Sequence, residues 1–245
     1  MKRPLLLTVD DCSTPDDLRD LAAKALSSGF DGVEWRLPVE FAPGQLANSN
    51  LGTIPIGAMA TRCEMMDIPS AVHFVTSKLQ EAASFAAKVL NLSIPPVRQG
   101  DDGHGFARYQ DSLNFAYELL HQVRLEAEAT GVSIALEAAS GGGLLSPIEL
   151  RELIDAVYSS AVGACIDVER IAMIGSPFDW IQTLQRRVQS VRYCDISRSV
   201  GEVAPASHVG KETLVPLLDE IDSDCPLILC DHSGKLKFAP MRCDG

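Results

Sequence analysis

Two short apolar runs in this chain each end on a carboxylate. Residues 132–140, VSIALEAAS, run through Ile134, Ala135 and Leu136 to Glu137, and residues 162–170, VGACIDVER, reach Asp167 in the same way. Each run reads as a buried parallel strand that delivers one acid to the same edge of a sheet. Two acids on neighbouring strand ends can hold a divalent cation between their oxygens, pass a proton to and from a substrate carbon, or do both. Chemistry is therefore expected there.

Those acids need a scaffold, and the remaining sequence supplies one in strict alternation. Strand-like runs fall at 5–9, 32–37, 54–60, 92–97, 132–137, 162–168, 188–196 and 226–230. The third is blurred by Pro55 and two glycines, and the fourth is weakened by Pro95 and Pro96. Thr14, an N-cap residue, and Pro15, at the first helical position, open a helix with Leu18, Leu21, Ala22, Ala25 and Leu26 on one face. Further helices are expected over 77–90, 111–130, 147–158, 177–187 and 212–221. Alternation of this kind requires parallel strands joined by right-handed crossovers, in a doubly wound sheet or a closed (β/α)8 barrel. The count of eight favours the barrel, built as one domain over residues 1–245. Residues 38–53 are rich in Pro, Gly, Asn and Ser, and only fifteen residues follow Cys230, so the barrel is expected to be trimmed around helix 2 and helix 8. A bare flank calls for cover, which a second copy in a homodimer would supply.

Composition removes several function classes. A net charge of -12 argues against a nucleic-acid partner, because phosphate neutralisation needs a basic surface. No apolar run approaches the ~20 residues that span a bilayer. The opening MKRPLLLTVDD lacks the longer apolar core of a signal peptide, so a cytoplasmic protein with no membrane partner is expected. The seven cysteines include no CxxC, which speaks against a disulfide framework or a structural zinc site. With no GxGxxG after the first strand and no GxxxxGK[ST] anywhere, no nucleotide cofactor is expected.

Four stretches recur in an order that resembles a known family: GVSIALEAAS, SPIELRELIDAV, SSAVGACIDVERIAMIGSPFDWIQTL and RVQSVRYCDIS, within residues 131–197. GFDGVEWRL and SHVGKETLVPLLDEI carry the likeness more weakly. Together they resemble the xylose isomerase-like TIM barrels, which include sugar isomerases, sugar epimerases and endonuclease IV. The resemblance implies a site at the carboxyl ends of the strands, where a divalent metal (Mn, Mg, Zn or Co) holds a sugar's oxygens. Its implied ligands are a glutamate from strand five, an aspartate from strand six, a histidine from strand seven and an acid from strand eight. Glu137 and Asp167 match the first two. At strand seven, Arg192-Tyr193-Cys194-Asp195 stands in place of His-x-x-Asp, and at strand eight Cys230, followed by Asp231 and His232, stands in place of glutamate. Arg170 occupies the position three past Asp167, where the resemblance implies a histidine in contact with substrate.

An arginine cannot ligate a metal, because its guanidinium stays protonated and offers no lone pair. Beside two carboxylates, Arg192 would act as a counterion and replace part of a metal's charge. Arg170 and Arg192 could then hold an anionic or phosphorylated substrate without metal. Alternatively, Asp231 or His232 restores coordination, giving a ligand set of Glu137, Asp167, Asp231 and His232. Both alternatives stand at this level.

Glu34 and Arg36 alternate in VEWRL and so point to one side of strand two, as a buried ion pair or as groups near the barrel mouth. His104, in the GDDGHGF loop after strand four, and His208, before the last helix, are candidate substrate contacts. Arg198, six residues past Arg192, sits where the resemblance implies a substrate-binding arginine in some epimerases. His73 is a weaker candidate for the mouth, and His121 falls within a helix. The expected function is an isomerase or epimerase of a sugar or small polyhydroxy acid, with Glu137 and Asp231 flanking the substrate and exchanging a proton with it. The alternatives are a degenerate barrel that binds a ligand or partner, and a metal-independent lyase or dehydratase with an arginine-lined anion site.

Overall fold

The computed structural model describes residues 3–9, 15–36, 54–63, 67–94, 109–137, 146–194 and 211–230. Eight strands are present: β1 (Leu5–Val9), β2 (Gly32–Arg36), β3 (Ile56–Arg62), β4 (Val89–Ser93), β5 (Ser133–Glu137), β6 (Val162–Asp167), β7 (Val188–Cys194) and β8 (Leu227–Cys230). They form a closed barrel in chain order, every neighbouring pair parallel, and β8 closes onto β1 through Leu5–Leu227, Leu6–Ile228 and Leu7–Leu229. The described helices are α1 (Pro15–Ser27), α2 (Ile68–Ser84), α3 (Tyr109–Thr130), α4 (Pro147–Val157), α5 (Val168–Ala172), α6 (Pro177–Leu184) and α7 (Lys211–Asp219), with a 3-10 turn at Gln185–Arg187. This is a (β/α)8 TIM barrel. None of its described helices is long and apolar enough to cross a membrane. Residues 37–53 and 231–245, where helices 2 and 8 were expected to be trimmed, lie outside the described residues.

The expected bounds of three elements need correction. The helix expected over 77–90 is α2, which begins nine residues earlier, where Asp67 caps it by accepting from the Ser70 backbone N–H at 3.0 Å. It ends at Ser84, and the chain reverses through Ala86 in the left-handed region, φ 58°. Leu90, expected on the helix face, is therefore the second residue of β4, and the strand expected over 92–97 is Val89–Ser93. The third strand likewise runs to Arg62 rather than stopping at residue 60.

Apolar packing falls into two layers. A large outer core lies between sheet and helices, and a small lumen cluster of Leu6, Ala58, Val89, Ala135, Cys165 and Ile228 fills the barrel's inside. Two irregularities decide which side chains face the lumen. The β6–β7 register shifts so that Ala164 pairs with Val188 but Cys165 pairs with Ser190, which leaves Gln189 as an extra residue. One extra residue reverses a strand's in–out parity. Val188 thus packs in the outer core, while Ser190 and Arg192 turn inward. Gly163 permits the bulge, because a Cβ there would lie 2.3 Å from the Arg187 carbonyl oxygen. A matching shift between β2 and β3 skips Gly57 and sets Glu34 against Ala58.

Candidate active site

A strand's pleat returns to the same face every second residue. Two residues past the lumen cluster therefore stand Thr8, Ala60, Asn91, Glu137, Asp167 and Cys230, one layer nearer the carboxyl ends of the strands. Glu34 and Arg192 complete this layer, and it is polar where the layer beneath is apolar. In this fold that end of the barrel is where chemistry is carried.

Arg192 organises the layer. Its Nη1 donates to Glu137 Oε1 at 2.5 Å, and its Nη2 donates to Glu34 Oε1 at 2.6 Å. Glu34 is fully buried, and both its oxygens are engaged: Oε1 also accepts from Asn91 Nδ2 at 2.6 Å, and Oε2 accepts from the Thr8 hydroxyl at 2.8 Å. Ser190 donates to Asn91 Oδ1 at 2.6 Å, which turns the amide's N–H toward Glu34. Thr8 Oγ1 also lies 3.3 Å from Cys230 Sγ. Thr8, Glu34, Asn91, Ser190 and Arg192 are all buried, and Glu137 keeps 10% of its side chain exposed at the upper edge.

Charge and burial oppose one another here. Burial pushes the Glu34 carboxyl up, but the charges of Arg192 and Arg36 and the hydrogen bonds from Arg192 and Thr8 outweigh it, so Glu34 titrates below its usual value. Burial likewise works against the charge on Arg192, yet Glu34 and Glu137 hold it protonated more firmly than a free arginine. At Asp167 the balance runs the other way. Burial raises its pKa despite Arg192, the Arg170 backbone N–H and the Arg170 charge, with Glu137 adding to the rise. Burial also pushes the Cys165 thiol far up, which leaves it protonated and inert.

The Glu34 shift has a consequence for acid stability. A carboxyl whose folded pKa lies below its unfolded value of 4.5 contributes stability that is present above pH 4.5 and lost as pH falls through the folded pKa. Asp167 opposes this, since a raised folded pKa favours the fold most below 3.8. Melting temperatures of wild type and Glu34→Gln are expected to converge as pH drops below 4.5. A wild-type acid limb no steeper than that of Glu34→Gln would contradict the role given to Glu34.

Of the residues singled out from sequence, Glu34, Glu137, Asp167 and Arg192 come together. Glu34 takes Arg192 as its ion-pair partner across 158 positions, and it forms the buried floor beneath that arginine. Arg36 stands half-buried at the end of β2, with Nη2 3.9 Å from Cys230 Sγ. Arg170 lies at the rim, 40% exposed, with Nε 3.4 Å from Asp167 Oδ2. Asp167 has a second local role as N-cap of α5, a helix not expected from sequence, where Oδ1 accepts from Arg170 N at 3.1 Å. His73 is exposed on α2, and His121 lies against the Tyr117 ring on α3, 5.7 Å between centroids. His104, Arg198, His208, Asp231 and His232 lie outside the described residues. Sequence reasoning missed Thr8, Asn91 and Ser190. Their signal is a polar residue set among apolar ones within a strand, in LLLTV, VLNLS and VQSVRYC.

The divalent metal implied by the resemblance can be tested against this donor set. Glu137 and Asp167 do stand on adjacent strand ends, but Glu137 is already bonded to a permanent cation that is itself buried. Glu34 has no oxygen left uncommitted. Among the described residues no group of three or more His, Cys, Asp or Glu could hold a metal ion. These residues do not fit a divalent cation.

Comparison with known proteins agrees with the architecture. No curated protein matches the chain. Among solved structures, an L-ribulose 3-epimerase superposes with a TM-score of 0.73 at 16% identity, covering 94% of this chain and 81% of that one. The D-psicose 3-epimerase of Clostridium cellulolyticum H10, solved with D-tagatose, gives 0.72 at 14% identity, covering 93% and 84%. The IOLI protein, solved with a zinc atom, gives 0.63 at 14% identity, covering 92% and 88%. At such identities the likeness shows the fold. Residues 22–237 match the family described as Xylose isomerase-like TIM barrel, and with that span the chain belongs to the xylose isomerase-like TIM barrel family.

Proposed function

We propose that this barrel is an isomerase or epimerase of a sugar or small polyhydroxy acid, and that it moves a proton at a carbon next to a carbonyl. The observation that carries this reading is the Arg192–Glu137 pair at the carboxyl end of the barrel, 2.5 Å apart, with the guanidinium fixed from below by Glu34. The sugar epimerases among its structural neighbours support the substrate class.

The chemistry follows from charge conservation. Glu137 takes the proton from the substrate carbon and becomes neutral. The electron pair of that C–H bond moves onto the carbonyl oxygen as an enediolate. Negative charge thus passes from one oxygen beside Arg192 to another, and the fixed cation stabilises the developing oxyanion without reorganising. A second carboxyl returns the proton, to the same carbon in an epimerase or to its neighbour in an isomerase. Asp231, directly after β8, is the candidate from chain position. Asp167 is the candidate among the described residues, since a raised pKa suits a group that must hold a proton. Arg36 and Arg170 at the mouth, with Arg198, His104 and His208 on the surrounding loops, are proposed substrate contacts.

Incubation in deuterated water with a panel of ketoses, aldoses and sugar acids tests this directly. Proton NMR is expected to show deuterium entering one substrate at the carbon beside the carbonyl. Absence of exchange across the panel would instead favour a barrel that binds its ligand without turnover.

A further inference from the structure

We infer that the guanidinium of Arg192 is this barrel's resident cation, built into the chain in place of an exchangeable divalent metal ion. Three observations on the described residues carry the inference. First, Arg192 is 1% exposed and its two terminal nitrogens are bonded to two different carboxylates, Glu34 and Glu137, one beneath it and one at its side. A guanidinium cannot lose its proton to become a ligand, so it competes with a metal rather than joining it. Second, a continuous chain of hydrogen bonds supports Arg192 from beneath. Ser190 orients Asn91, Asn91 and Thr8 bond Glu34, and Glu34 holds Arg192. Such a chain of committed donors and acceptors fixes the cation and leaves both oxygens of Glu34 already accepting hydrogen bonds. Third, a divalent ion drawn to Glu137 and Asp167 would sit beside the buried positive charge of Arg192 in a poorly screened interior, where like charges repel strongly. Like a carbonyl-polarising metal, the guanidinium places positive charge at the carboxyl end of the barrel.

The cation's identity is independent of the reaction assigned to the barrel, because it rests on the contacts of Arg192 and of the residues around it. Metal binding and stability therefore test it without a substrate. Full-length protein is stripped with EDTA and titrated with Mn2+, with free ion followed by electron paramagnetic resonance and folding followed by thermal melting. Zn2+, Co2+ and Mg2+ are added in parallel melts. Wild type is expected to take up no stoichiometric Mn2+ and to melt at the same temperature with EDTA or with any of the four ions. Arg192→Ala, which leaves Glu34, Glu137 and Asp167 without their guanidinium, is expected to melt lower in EDTA. It should recover on adding a divalent ion and bind Mn2+ at least about 100-fold more tightly than wild type, a difference of roughly 2.7 kcal/mol. If Arg192→Ala does not fold, the wild-type titration still decides. One tightly held divalent ion per wild-type chain, or a saturable rise of its melting temperature, overturns the inference. So does an Arg192→Ala protein that folds but binds Mn2+ no better than wild type. A barrel that exchanges no deuterium and still refuses Mn2+ loses the proposed reaction and keeps the resident cation.

Discussion

Replacing Arg192 with methionine is expected to lower stability by about 3–5 kcal/mol, the usual cost of removing one partner from a buried ion pair. Methionine fills much of the same volume, so the loss reports charge rather than a cavity. What it leaves behind is Glu34, wholly buried, with Thr8 and Asn91 as its remaining donors. Glu137 suffers less, since it keeps some contact with solvent. For a chain of this length the loss corresponds to a fall of roughly 6–20 °C in melting temperature. Adding Glu34→Gln to Arg192→Met should recover a substantial part of it, because the neutral amide no longer needs a counter-charge and can still accept from Thr8. Thermal or urea unfolding of the four proteins closes the cycle, with a coupling of about 0.5–3 kcal/mol expected between the sites. Full additivity would show that Glu34 and Arg192 do not act on one another.

The second large effect is on turnover. Glu137→Gln removes the proposed proton acceptor while keeping an oxygen that can receive the Arg192 N–H. Deuterium exchange and turnover should fall about 10²–10⁴-fold, the range typical of a positioned general base. The melting temperature should move far less than in Arg192→Met, because no buried charge is abandoned. The loss should appear in kcat, with KM little changed, if Glu137 acts on the substrate carbon rather than in holding the substrate. An unchanged rate in a folded Glu137→Gln protein would remove Glu137 from the mechanism. Equal losses in turnover and folding would assign it to structure alone.

The barrel was legible in the sequence because its signals are local. Apolar runs such as IALE and ACID are short, buried on both faces and bounded by turns, and the helices between them show the spacing of one buried stripe. The error at α2 has a definite cause. The helix ends without the usual glycine, Ala86 takes the left-handed conformation, and buried β4 continues the apolar pattern through the turn. The start of that helix is written in the sequence as Asp67 followed by Ile68-Pro69, a cap with proline in the first turn. The site divides in the same way. Glu137 and Asp167 announce themselves as acids ending apolar strands. The inward facing of Arg192 depends on a bulge at Gln189, and the commitments of Glu34, Asn91 and Ser190 depend on partners 57 to 158 positions away. Side-chain alternation alone does not reveal either.

Those separations also fix when the site comes into being. The bond between Glu34 and Arg192 spans 158 positions and the contact between Thr8 and Cys230 spans 222, so the network ties the second strand to the seventh and the first to the eighth. Contacts of such range form only after the entropy of closing long loops has been met. Glu34 on β2 and Arg192 on β7 therefore cannot pair until chain from both halves of the barrel is in place. A nascent chain that ends before β7 carries the carboxylates of Glu34 and Glu137 without the guanidinium that pairs with them. The buried carboxylate of Glu34 thus draws its counter-charge from the far half of the chain.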